Sequence, residues 1–277
     1  MKSKTLKASV MAGLVGLSFV TAANAQLEGI EEAKSGWNSF YFAGYKMKGA
    51  DVGFDTDGKV DIIPIGKNRE RMATNYFIPL KYEIRDVAAD GKVTVKKIDV
   101  DSLTSESKPT AKPDKILVKG KTEEGDTTFE LYYEVSRGNV LVGGRIVEKG
   151  ALANPKFAIT IVMPKVYEKT PDDEKAFKKR IADDFLQVKL LDGKRAKVKG
   201  DEDFDITSAE FTGAGLSQIE FLIDEIGARE FTLTASPGSK ITAANKAGSP
   251  FYNGLNFTWE ADPAGDASKA RLAIGVK

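Results

Sequence analysis

Between Thr127 and Pro164 the chain carries three apolar runs whose spacing leaves little room for anything but an antiparallel sheet. Phe129-Glu130-Leu131-Tyr132-Tyr133-Glu134-Val135 alternates. Phe129, Leu131, Tyr133 and Val135 therefore share one face, and Glu130, Tyr132 and Glu134 share the other. Val140 to Val147 returns the pattern, with Val140, Val142, Gly144 and Ile146 on the matching face. Ser136-Arg137-Gly138-Asn139 joins the two runs; Gly and Asn tolerate positive φ, which predicts a tight hairpin. The third run, Phe157 to Met163, is apolar at nearly every position, which predicts a strand covered on both faces. Together they read as the centre of a packed sandwich rather than its edge.

The same punctuation recurs through the chain. Asp57-Gly58, Asp90-Gly91, Asp192-Gly193, Pro237-Gly238 and Asn253-Gly254 separate short β-prone segments, Ile206 to Phe211 among them. Asp55, Asp57, Gly58 and Asp61 have the look of a calcium loop, but the twelfth position from Asp55 is Gly66 rather than Glu, so a plain turn is expected. Asp101 to Lys115 is polar, with Pro109 and Pro113, and reads equally as a linker or as a long loop within one domain. One helix is expected near residues 170–186. Thr170 is its cap, Pro171 its first position, three acids follow, and Phe177, Ile181 and Phe185 form an apolar stripe.

The fold class expected is all-β: a large antiparallel β-sandwich of some fourteen or more strands with that one amphipathic helix. In size and strand pattern the outline resembles the large carbohydrate-active supersandwich architecture, although no family motif is present. The catalytic members of the mutarotase group rely on His, which this chain lacks.

The first residues read as an export signal. Lys2, Lys4 and Lys7 make a basic start, Ala8 to Val20 is an apolar run of 13 residues, and Ala23-Asn24-Ala25 is a small-x-small cleavage site. The apolar run is too short to span the ~30 Å of a bilayer core as a helix. The expected division is a signal peptide at 1–25 and a single β-sandwich domain at 26–277, exported to the periplasm or beyond, with no membrane span after cleavage.

Without the leader, 38 cations face 40 acids, a balance that argues against nucleic acid as a partner. The chain has no Cys and no His. Disulfides, nucleophile–His systems and Cys/His metal sites are thereby excluded. No cofactor motif or metal-ligand set is found. Carboxylates, Tyr, Lys, Ser and Arg remain for chemistry, and no spacing singles out a catalytic set.

Binding is the class the residues favour. Trp37, Tyr41 and Tyr45 lie in the densest aromatic segment at even spacing, so on a regular strand all three would share a face and offer a stacking platform for a sugar ring. The competing expectation is that they pack into the core. Tyr252 and Trp259 are the other candidate rings. Arg69 and Arg71 could clamp an acidic sugar. The leading expectation is a non-catalytic glycan-binding module, and the alternative is a structural or protein-interaction component of the cell envelope. A carboxylate- or Tyr-based polysaccharide enzyme is weaker than both.

Overall fold

The computed structural model describes residues 27–164, 173–202, 205–206, 208–227, 229–244, 255–263 and 265–277. The export signal therefore lies outside the described residues, as do Thr170 and Tyr252.

A short helix α1 (Glu32–Ser35) leads into a meander of β1 (Tyr41–Lys46), β2 (Ala50–Asp55), β3 (Val60–Pro64) and β4 (Ile78–Val87). The ten-residue β4 holds β3 along its first half and β5 (Val93–Lys96) along its second. The chain then builds a second layer from β6 (Ile98–Ser105), β7 (Lys115–Thr122), β8 (Thr128–Ser136) and β9 (Asn139–Glu148). It returns to the first layer as β10 (Pro155–Val162), paired with β4. Helix α2 (Glu174–Arg180) precedes β11 (Phe185–Leu190) and β12 (Arg195–Lys199). Helix α3 (Ala209–Thr212), β13 (Leu216–Leu222) and β14 (Glu230–Ala235) follow. Then come β15 (Ser239–Ala244), β16 (Asn256–Ala261) and β17 (Leu272–Val276).

The pairings give two layers. One runs β1-β2-β3-β4-β10-β16-β15; the other runs β6-β7-β8-β9-β17-β14-β13-β11-β12. The single pairing of Leu216 with Ile241, between β13 and β15, joins them into one curled sheet of 17 described strands. The all-β, antiparallel, sandwich-like expectation holds.

Alternation explains the core. Phe129, Leu131 and Tyr133 of β8 are buried against Ile159 and Ile161 of β10, Phe257 and Trp259 of β16, and Leu233 of β14 in one continuous cluster. Each such side chain is worth about 1.5–3 kcal/mol relative to exposure. The β8–β9 turn forms with Arg137 at φ 50° and Gly138 at φ 80°. The left-handed pair is thus Arg-Gly, not Gly-Asn, and Asn139 already pairs with Ser136. On the outer side of β10 the covering is partial. Ala158 is buried, but Thr160 and Val162 are only half-buried, and what crosses there is a side chain. Arg85 of β4 reaches over to Thr160 and to Glu260 of β16.

Two expectations need correction. The helix occupies only Glu174–Arg180, and its cap is Asp173, whose carboxylate accepts the Ala176 N–H at 2.8 Å. Phe185 opens β11 instead of completing a stripe. The chain is turned between them by Asp184, fully buried, whose carboxylate accepts the Asp224 N–H and whose carbonyl accepts the Gly200 N–H. Within Ile206 to Phe211, expected as strand, residues 209–211 belong to the helix Ala209–Thr212. The polar stretch 101–115, read equally as a linker or as a long loop within one domain, is partly strand and touches the first layer. β6 runs through Ser105, and Thr110 bridges to Ala43 and accepts the Gly44 N–H at 3.1 Å.

Candidate functional site

Trp37 and Tyr41 of the aromatic segment are core, and the backbone separates them from Tyr45. The β1–β2 register shifts between Tyr41 and Ala43, so a bulge breaks the parity that even spacing assumes. Tyr45 packs against the main core, while Tyr41 joins Ile30, Trp37 and Ile63 in a small second core. The lead-in segment, Ile30 included, covers that second core. Two glycines make room for it: a Cβ on Gly44 would stand 2.4 Å from the Trp37 ring, and one on Gly53 would stand 2.4 Å from the Tyr41 ring. Trp37 is 0% exposed and Tyr41 1%, so neither ring can stack on a sugar.

The basic loop does not form a clamp. Arg71 turns inward: its Nε donates to Asp51 at 2.8 Å, its Nη1 donates to the Gly36 carbonyl, and its guanidinium lies 4.2 Å from the Trp37 ring centre. Arg69 is exposed, at φ 66° in the turn. Trp259 is 0% exposed and meets Phe157 edge to face at 6.5 Å. Of the described candidates, Trp37, Tyr41 and Arg71 do come together, but in packing and not around an open face, while Tyr45 and Trp259 belong with the main core.

A different place gathers open polar groups. Where the two layers part, Gly144, Arg145 and Ile146 of β9 face Asn154 to Phe157, at the start of β10, across a cleft of 470 Å³. Lys240, Glu260, Asp262 and the loop through Ser268 complete its walls. The volume lies in the range of small-ligand sites. Phe157 contributes an apolar surface backed by Tyr82 and Trp259. Gly144 has to be glycine, because a Cβ there would meet the Phe157 ring at 2.4 Å.

The walls are held by ionic contacts just outside the cleft. Arg85 forks between Glu83 at 2.7 Å and Glu260 at 3.1 Å, fixing the Glu260 carboxylate. Arg145 donates to Glu130 at 2.9 Å, and Glu130 also accepts the Tyr132 hydroxyl at 2.6 Å. Burial works to raise the Glu130 pKa, but these two hydrogen bonds outweigh it and hold the carboxyl below its usual range. Burial, then the bond to Glu130, pushes the Tyr132 phenol up to about 12. Arg271 lies 4.3 Å from the Tyr132 ring centre, pairs with Glu134 at 2.7 Å, and donates to the Ser268 and Ala270 carbonyls. It thereby pins the cleft loop to the sheet. Gly143 lets that loop approach, since a Cβ would stand 2.6 Å from the Ala270 carbonyl oxygen.

Two half-buried cations in the cleft are left over. Lys240 sits opposite Glu260 in register, but Glu260 is bound to Arg85. Lys156 sits opposite Arg85. Neither Lys156 nor Lys240 has an ion pair or side-chain hydrogen bond among the described residues. The cleft thus offers free ammonium donors, carboxylate acceptors and one apolar floor. No group of acids among the described residues has metal-binding geometry.

No family model matches the chain, and no curated protein does. Among solved structures, a bacterial glucoamylase complexed with acarbose is similar over 87% of this chain and 32% of its own, at 8% identity and a TM-score of 0.45. An α-N-acetylgalactosaminidase from Bifidobacterium bifidum is similar over 84% of this chain and 35% of its own, at 12% identity and a TM-score of 0.49. The chain spans about a third of each of these structures. No helix among the described residues is long and apolar enough to cross a membrane.

Proposed function

We propose that this chain is an exported, non-catalytic module that binds a glycan in the cleft between β9, β10 and the β16–β17 loop. The observation that carries the reading is the pair of lysines, Lys156 and Lys240, that have no ion pair among the described residues, beside the fixed Glu260 carboxylate and above Phe157. A sugar presents hydroxyls that both donate and accept, and an apolar ring face. It uses both signs of charge at once, which a purely anionic or cationic ligand does not. Free ammonium groups give an advantage to glycans that carry carboxylates.

The test is a glycan array read with the protein and with Lys156→Ala and Lys240→Ala variants. Each lysine is half-buried and unpaired among the described residues, so stability should change by no more than ~0.5 kcal/mol. Loss of a charge-assisted hydrogen bond should weaken binding by ~1.5–3 kcal/mol, roughly 10- to 150-fold. Binding that ignores both substitutions overturns the assignment of the site.

A second reading has one observation of its own. Val93 and Val95 of β5 are 51% and 55% exposed on a four-residue strand paired only to β4 among the described residues. Such an edge suits contact with another envelope protein. Substituting Lys at Val95 would abolish that contact and leave glycan binding alone.

A further inference from the structure

Among the described residues of the N-terminal segment, Phe40 is the exposed aromatic ring, 42% exposed and one residue before the buried Tyr41. Its ring centre lies 4.3 Å from that of Tyr41. The two rings, with Phe77, Pro79, Thr74 and Asp61, bound a pocket of 290 Å³ on the outer side of β3 and β4. It shares no residue with the cleft described above.

The polar content of this pocket is small and one-sided. The Tyr41 hydroxyl is already spent, donating to Asp61 at 3.2 Å. What remains is the Asp61 carboxylate and the Thr74 hydroxyl. A sugar would find too few hydrogen-bonding groups there. The nearby basic side chains are committed elsewhere: Lys59 to Asp57 at 3.2 Å, and Arg71 to Asp51 at 2.8 Å. Asp55 adds a second negative charge close enough to act on both Tyr41 and Asp61. Phe40 and Phe77 offer electron-rich faces above the nearly buried Tyr41 ring, and the Asp61 carboxylate lies beside them.

From this geometry we propose that the pocket is an aromatic cage for a quaternary ammonium group, such as that of choline. Such a cation donates no hydrogen bonds, so a wall of rings meets all its needs. Its charge is balanced by ring quadrupoles and by Asp61. Asp61 also holds the Tyr41 hydroxyl, which fixes the ring at the pocket floor. Phe40 and Phe77 are the more open walls.

NMR titration of the whole chain tests this with choline and with 3,3-dimethyl-1-butanol, its uncharged carbon isostere. Choline is expected to bind saturably and to shift the Phe40, Phe77 and Asp61 resonances; the isostere is expected to bind far more weakly. Phe40→Ala should weaken choline about 2- to 30-fold. Asp61→Asn keeps an acceptor for Tyr41 but removes the charge, and should weaken choline about fivefold or more. Lys156→Ala should leave choline binding unchanged, which separates this site from the glycan cleft. The proposal is overturned if choline gives no saturable shift, or if isostere and choline bind alike. Shifts that survive both pocket variants overturn it too, as does a sugar that moves these resonances when choline does not.

Discussion

Gly44→Ala is a sharp probe of the packing that removes Trp37 from the surface. In a strand, a change from Gly to Ala ordinarily stabilises by ~0.4–1 kcal/mol, because it restricts the unfolded chain. Gly44 is not among the residues with positive φ, so its backbone accepts alanine. Space is the obstacle. The added Cβ would lie 2.4, 2.5 and 2.6 Å from Cζ2, Cη2 and Cε2 of Trp37. That ring cannot swing out, because it is fully buried, meets Tyr41 edge to face at 5.6 Å and lies under the Arg71 guanidinium. Overpacking of this kind costs ~1–3 kcal/mol, leaving a net loss of roughly 1–2 kcal/mol after the backbone gain. For a chain of this size Tm should fall by about 2–8 °C. Urea unfolding should show a lower midpoint at unchanged slope. The decisive comparison repeats the substitution in a Trp37→Leu background. With the indole gone the clash disappears, so Gly44→Ala should be neutral or slightly stabilising, a coupling of about 1–2 kcal/mol. Equal losses in both backgrounds would refute the contact, and no loss in the parent would mean that Trp37 is not packed there at all.

Burial, opposed by the Tyr41 hydrogen bond and reinforced by Asp55, raises the Asp61 pKa above its unfolded value. The folded state then binds the Asp61 proton more tightly, and its contribution to stability is lost as pH rises through the raised value. Asp61→Asn should therefore be more stable than the parent at pH ~7, with the difference vanishing below about pH 3.9; a pH-independent difference in urea midpoints contradicts this. Asp173→Ala removes the cap that accepts the Ala176 N–H and should cost ~0.5–2 kcal/mol, read in the same urea unfolding experiment; an unchanged midpoint would mean the cap contributes nothing.

What the sequence disclosed was whatever is local. The β8–β9 hairpin was legible because alternation and turn chemistry lie within twenty residues of each other, and burial of Phe129, Leu131 and Tyr133 follows from them. Parity failed at Tyr41 and Tyr45 because one bulge moves a side chain to the opposite face, and no residue in Tyr41-Phe42-Ala43 announces it. The helix was overextended because Phe177, Ile181 and Phe185 keep helical spacing. What ends the helix is the buried Asp184, whose carboxylate is bonded to the distant Asp224 N–H. The cleft was missed for a similar reason. Lys240, Glu260, Arg85 and Lys156 become neighbours only through the pairing of β4, β10, β16 and β15, strands separated by up to 175 positions in the chain. The available signal was the outward position of each charge on an alternating strand. It locates a face but not a neighbour.

The central claim is that ligand is held in the cleft rather than by the N-terminal aromatics. Amide chemical-shift mapping of the labelled protein with the strongest glycan from the array tests it most directly. The account predicts saturable shifts at Gly144, Arg145, Ile146, Lys156, Phe157, Lys240 and Glu260, with residues 37–45 and 69–71 unmoved. Shifts centred on Trp37, Tyr45 and Arg69 instead, or the absence of any saturable shift in the cleft, would contradict it.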